Sequence, residues 1–176
     1  MNDYYVLDAA RIVKEYIYLD DGLDDLEIPC ESSEFQFLDK KVLSLEADPS
    51  SGNIFQDFMY FRNVPIISDK MMELFIKENI DYLFYKKILI TKKSKGVEEL
   101  YWLALPPRIN CLNRDKSNID EVLNCADEIV INDSKVGNYH IFKLSGVTNH
   151  EIIITKYLAE KIKSISPVGV HIYELR

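Results

Sequence analysis

The sequence predicts an α+β fold: a mainly antiparallel sheet covered by amphipathic helices, with a small N-terminal β-rich subdomain. Three observations carry this expectation. Apolar runs of strand length outnumber helical patterns. Several neighbouring runs are separated only by short turns, the mark of hairpins. And one unit occurs twice, 87 residues apart: Val64-Pro65-Ile66-Ile67-Ser68-Asp69-Lys70-Met71-Met72-Glu73-Leu74-Phe75 and Ile152-Ile153-Ile154-Thr155-Lys156-Tyr157-Leu158-Ala159-Glu160-Lys161-Ile162. Aligned on Ser68 and Thr155, Met71 meets Leu158, Glu73 meets Glu160 and Phe75 meets Ile162. Each copy reads as a strand end, a hydroxyl cap, an amphipathic helix and another strand.

In chain order, Tyr4–Leu7 opens as a strand. Ala9–Tyr18 is ambiguous, its alanines favouring helix and its Ile, Val and Tyr favouring strand. Asp20–Pro29 is a polar loop ended by proline. Phe35–Leu38 and Val42–Leu45 read as short strands, and Asp48-Pro49-Ser50-Ser51-Gly52-Asn53 is the clearest turn. That turn marks the expected division between an acidic N-terminal subdomain, 1–55, packed on the rest, and an α+β domain, 56–176, holding both strand–helix–strand units.

The first helix is justified by Ser68, whose hydroxyl can accept from an orphan first-turn N–H. Met71, Leu74 and Phe75 then share one face. Tyr82–Ile90 and Leu100–Leu105 form a hairpin around the basic tip Lys92-Lys93-Ser94-Lys95-Gly96, and Pro106-Pro107 ends it. Asn113–Asn118 is a loop and Ile119–Ala126 a short helix. Glu128–Ile131 and Tyr139–Leu144 are strands around Lys135-Val136-Gly137-Asn138. Thr155 caps the second helix, whose apolar face is Leu158, Ile162 and Ile165. Ser166-Pro167 breaks it before a last strand, Val168–Tyr173.

With 176 residues and 47% apolar content, the chain is long enough to bury a substantial core. Three cysteines (Cys30, Cys111, Cys125) fit no disulfide framework, so a reducing compartment is expected. No secretory leader pattern and no membrane-length apolar run occurs, so the expectation is a cytoplasmic protein with no membrane partner. The net charge of −8 is uneven. Residues 1–60 hold 14 acidic and 4 basic side chains, against 15 and 17 in residues 61–176. Carboxylates repel phosphates, which argues against nucleic acid as a partner and permits a basic protein.

No catalytic, cofactor or metal constellation is found. His140, His150, His171 and the cysteines are scattered at spacings that suit no metal. Cys111 could pair with His140 or His150 as a nucleophile, but a cysteine between apolar neighbours is more simply a small buried hydrophobe. No glycine-rich phosphate loop occurs, and the basic hairpin tip reads as a solvated face rather than an anion site. The acidic segment is the most informative: Asp20, Asp21, Asp24, Asp25, Glu27, Glu31 and Glu34, interleaved with Leu23, Leu26, Ile28 and Phe35. It reads two ways. Apolar anchors among like charges suit docking on a basic surface; the alternative is a solvated acidic loop. Its spacing does not match a calcium loop.

Four stretches carry a family resemblance: Val64-Pro65-Ile66-Ile67-Ser68-Asp69-Lys70-Met71; Asn110-Cys111-Leu112-Asn113-Arg114-Asp115-Lys116-Ser117; His140-Ile141-Phe142-Lys143-Leu144; and Ile152-Ile153-Ile154-Thr155 through Gly169-Val170-His171-Ile172-Tyr173. In order and spacing, from about Asp57 to Leu175, the chain resembles immunity-protein family 11 of bacterial polymorphic toxin systems, with Phe142-Lys143-Leu144 where Phe-Arg-Leu is usual. The first 55 residues match loosely. The resemblance implies a cytoplasmic antidote that binds and occludes a cognate toxin domain and performs no chemistry; a monomer or weak homodimer is expected. The acidic third fits a basic toxin such as a nuclease, with the seven carboxylates as its contacts. The alternatives are a small intracellular enzyme or a structural subunit.

Overall fold

The computed structural model describes residues 4–11, 13–19, 43–61 and 63–175. The expected loop at Asp20–Pro29 and strand at Phe35–Leu38 lie outside the described residues. In chain order the strands begin with β1 (Tyr4–Ala9), β2 (Leu43–Glu46), β3 (Phe58–Phe61) and β4 (Val64–Ser68), followed by helix α1 (Asp69–Lys77). Then come β5 (Phe84–Lys92), β6 (Val97–Leu105), β7 (Arg108–Ile109), β8 (Asn118–Asp120), β9 (Cys125–Glu128), β10 (Ile141–Leu144) and β11 (Ile152–Thr155). Helix α2 (Lys156–Ser164) and β12 (Val170–Glu174) complete the set. The fold is α+β, with three sheets and two α-helices among the described residues.

The described residues divide into two compact units. The first is drawn from Ala9–Leu105 and Ser166–Val170, the second from Met1–Asp8, Pro106–Ile165 and His171–Arg176. Of the expected 1–55 subdomain, residues 4–8 fall in the second unit and the other described residues in the first.

The first unit holds a sheet of order β2-β5-β6-β4-β3. Its pairs are antiparallel except β2 with β5. Strand alternation sends every second side chain to one face. Leu45, Met59, Phe61, Ile66, Ile88, Ile90 and Leu103 meet there in a core that Ile17 joins. The β5–β6 hairpin matches the sequence expectation, with Ile88 opposite Tyr101. Strand β3 was not anticipated; it pairs with β4 so that Phe58 faces Ile67, and Asn63 takes a left-handed conformation in the connection. Ala9–Tyr18 holds no helix among its described residues: β1 takes Ala9, and Tyr16 makes a single bridge to Ile54.

Ser68 caps α1, its hydroxyl accepting from Met71 N at 3.3 Å. Met71, Met72, Leu74 and Phe75 are buried along the helix. On β6, Trp102 donates its indole N–H to Asp69 of the first turn at 2.8 Å.

The second unit holds the order β12-β1-β11-β10-β7. Strand β11 is antiparallel to both β1 and β10, whereas β10 and the unanticipated β7 run parallel. Both large sheets are therefore mixed rather than wholly antiparallel. Ile152, Ile153 and Ile154 are all buried, as in a strand covered on both faces. Thr155 caps α2 by accepting from Leu158 N at 3.4 Å, and Leu158, Ala159 and Ile162 are buried.

The helix expected over Ile119–Ala126 is instead the β8–β9 hairpin, with Asp120 opposite Cys125. Local hydrogen bonding decides this. The Asp120 carboxylate accepts from Val122 N and Leu123 N, and Asn124 is left-handed, so turn chemistry outcompetes the helix. The strand expected over Glu128–Ile131 ends at Glu128, with Ile131 bridged singly to Leu112. Asp133–Lys135 forms a 3-10 turn capped by Asn132, and the following strand starts at Ile141 rather than Tyr139.

Candidate functional site

The seven carboxylates singled out in the sequence, from Asp20 to Glu34, lie outside the described residues. Of the other candidate groups, Lys92, Cys111 and His140 each contact residues of their own unit.

The hairpin tip is exposed from Lys93 to Gly96, as a solvated basic face should be, and Lys92 departs from that reading. Strand alternation places it on the core side with Ile88 and Ile90, and it is 3% exposed. Its ammonium donates to Ser51 O at 2.6 Å, to Ser51 Oγ at 3.3 Å and to Gly52 O. Those acceptors belong to the Asp48–Asn53 turn. That turn has its own lock: Asp48 accepts from Ser50 Oγ at 2.6 Å and from Ser50 N at 2.7 Å. These bonds hold the Asp48 carboxyl below its ordinary range, the side-chain bond contributing most. Gly52 is required because a Cβ there would lie 2.0 Å from the Glu15 carbonyl carbon. Lys93 extends from the tip to Glu46 at 2.6 Å, an exposed pair of small energetic weight.

Cys111 is wholly buried in the core of the second unit with Leu112, Phe142 and Ile153. Burial raises its thiol to about 11, so the thiolate needed for nucleophilic attack is scarce at neutral pH. The apolar reading of this cysteine accounts for its surroundings. His140 faces Thr155 instead, Nδ1 to Oγ1 at 3.1 Å, and packs at 5.1 Å against the Tyr157 ring. Among the described residues no His, Cys, Asp and Glu side chains gather as a metal site. No described helix is long and apolar enough to cross a membrane.

Asp57 is the buried polar centre that the sequence did not disclose. One carboxylate oxygen accepts from Ser68 Oγ at 2.6 Å; the other accepts from Val168 N at 2.7 Å and Lys70 Nζ at 3.3 Å. Lys70 also donates to Ser166 O at 3.1 Å. A buried carboxylate with three donors is satisfied, and it ties the α1 cap to the Ser166–Val170 segment of the same unit. No spacing rule could have found it, because Val168 lies 111 residues away. Nearby Tyr101, buried and donating to Gln56 O at 2.8 Å, has its phenol raised well above the usual range, first by burial and then by the Asp57 charge.

Among the described residues, large apolar side chains exposed at the surface include Ile76 on α1 and Val122 and Leu123 at the tip of the β8–β9 hairpin.

A family model described as the immunity protein family Imm11 matches residues 4–176, and the chain belongs to that family. The match also takes in the N-terminal third, beyond the stretch from Asp57 that the quoted motifs cover. No curated protein matches the chain.

Proposed function

We propose, with that membership as premise, that the protein is a cytoplasmic antidote: it binds a cognate toxin domain, occludes it stoichiometrically, and so protects the producing cell. Membership of an immunity family over essentially the whole chain is the observation that carries this reading. In this reading the protein contributes a surface and no reaction. The internal engagement of Cys111, Lys92 and Asp57 supports that view, since each serves packing or satisfaction within its unit. The helices act as covers for the sheets, and the molecule works as a monomer or weak homodimer.

The toxin is basic in this proposal. Asp20, Asp21, Asp24, Asp25, Glu27, Glu31 and Glu34 steer it, and Leu23, Leu26, Ile28 and Phe35 supply apolar anchors. The test is co-expression with the C-terminal toxin domain encoded directly upstream. Rescue of growth together with a one-to-one complex is expected. Protection by substoichiometric amounts of the chain would overturn occlusion in favour of turnover. Replacing Asp20, Asp21, Asp24 and Asp25 by Asn should slow association severalfold at low salt and little at high salt; unchanged kinetics would leave the segment a solvated loop.

A further inference from the structure

The β8–β9 hairpin carries features that its own folding does not need. At its tip Val122 is 93% exposed and Leu123 66% exposed. Aliphatic side chains that stay in water contribute no burial to stability. The backbone beneath them is nonetheless held from several directions. Asp120 accepts from Val122 N at 2.8 Å and Leu123 N at 3.0 Å. Thr148 Oγ1 donates to the carbonyls of Leu123 and Asn124, both at 3.2 Å, and Thr148 N donates to Asn124 O at 2.8 Å. The buried Asn149 side chain clamps the base, accepting from Ala126 N at 2.8 Å and donating to Ala126 O at 3.0 Å. Two apolar side chains are therefore presented on a braced turn, which lowers the ordering cost of binding.

Along the hairpin itself, Asn118–Glu128, the charge has one sign, while Arg108 and Arg114 bond the neighbouring 144–149 segment. Glu121 adjoins the pair, Asp127 and Glu128 are exposed farther along β9, and no lysine or arginine occurs between Lys116 and Lys135 in the sequence. Such a tip repels anionic surfaces and complements a cationic one. Exposed apolar side chains on an element of one charge suit a protein contact.

We propose that the β8–β9 tip is a contact surface for a basic protein. Val122 and Leu123 enter the partner's surface, while Glu121, Asp127 and Glu128 meet lysines or arginines around them. The occupant is the toxin domain, so the inference rests on the antidote reading and names a contact for it within the described structure.

The experiment measures binding of the full chain to the toxin domain encoded directly upstream, at low and high salt, with thermal melting of every variant. Val122→Ser with Leu123→Ser should weaken binding about tenfold or more, chiefly by faster dissociation, with melting unchanged. Glu121→Gln, Asp127→Asn and Glu128→Gln together should slow association severalfold at low salt, the difference vanishing at high salt. The second variant keeps the test decisive if the first melts early. Tight binding by the wild type with both variants unaffected would overturn the tip as a contact and leave the antidote reading standing. No binding by the wild type would overturn both.

Discussion

The two strand–helix–strand units share a backbone and differ in what they do with it. In the first, Ser68 N donates to Asp57 O at 3.0 Å; in the second, Thr155 N donates to His140 O at 3.0 Å. Asp57 and His140 each immediately precede the strand, β3 or β10, that pairs with the cap-bearing strand. In both units the cap hydroxyl also meets the side chain at that place. The chemistry diverges there. Asp57 is a buried carboxylate with three donors from separate parts of the first unit. His140 is a half-buried imidazole with a hydroxyl and a phenol ring beside it. The shared backbone accounts for the resemblance legible in sequence, and the differing side chain decides how much each cap holds together.

Sheet order extends the comparison. In the first unit β4 lies between β3 and β6, with β5 beyond β6; in the second β11 lies between β10 and β1, with β12 beyond β1. Strand β1 thus fills in the second unit the place of β6 in the first. The β5–β6 pair is closed by a tight hairpin, whereas β12 and β1 are neighbours drawn from distant parts of the chain.

If the helices are equivalent, Met71→Ala and Leu158→Ala should each cost about 2–5 kcal/mol, because both side chains are fully buried. Denaturant unfolding measures this, and a loss in only one unit would break the equivalence. The next effect separates the units. Asp57→Ala leaves Val168 N and the Ser68 hydroxyl without their acceptor and should cost about 2–3 kcal/mol. His140→Ala should cost roughly 1 kcal/mol or less. Equal shifts in the unfolding midpoint would contradict the distinction drawn between them. Ser68→Ala and Thr155→Ala should each cost about 1 kcal/mol through the lost cap. The serine change should be the larger, since its second partner is the buried Asp57 carboxylate, whereas that of Thr155 is the half-buried His140 ring.

A further pair of effects is in pH. The Cys111 thiol is raised from 9.0 to about 11 by burial, so the folded state keeps a proton that the unfolded chain gives up. Stability should therefore fall as pH rises through that interval, and Cys111→Ala should flatten part of the slope. Asp48 has the opposite sign. Its depressed value means that its contribution is present above the ordinary 3.8 and is lost as pH falls through the folded value. Hydrogen exchange should find the Asp48 turn opening on the acid side and β10 on the alkaline side.

The caps, the β5–β6 hairpin and the Asp48–Asn53 turn were legible because their determinants are local: a hydroxyl before an amphipathic run, alternation around a glycine, a cluster of turn formers. The misplaced helix at Ile119–Ala126 failed for a related reason. Val122 and Leu123 look like helix-face residues until Asp120 and Asn124 are read as turn residues. Long-range groups were beyond such reading. Lys92 reaches a turn some 40 residues earlier in the chain, and Asp57 a segment 111 residues later. The acidic run from Asp20 to Glu34 was visible by charge alone, and charge alone does not determine what it touches.

The displaced position of β1 has a consequence during biosynthesis. Tyr4 pairs with Thr155, so β1 emerges from the ribosome about 150 residues ahead of the strand it must join. At roughly 5–20 residues per second that interval is on the order of ten seconds. The first unit's β3-to-β6 sheet needs no later strand and is free to form cotranslationally, while β1 waits with an open edge. The second unit, which needs both β1 and β11, therefore closes last.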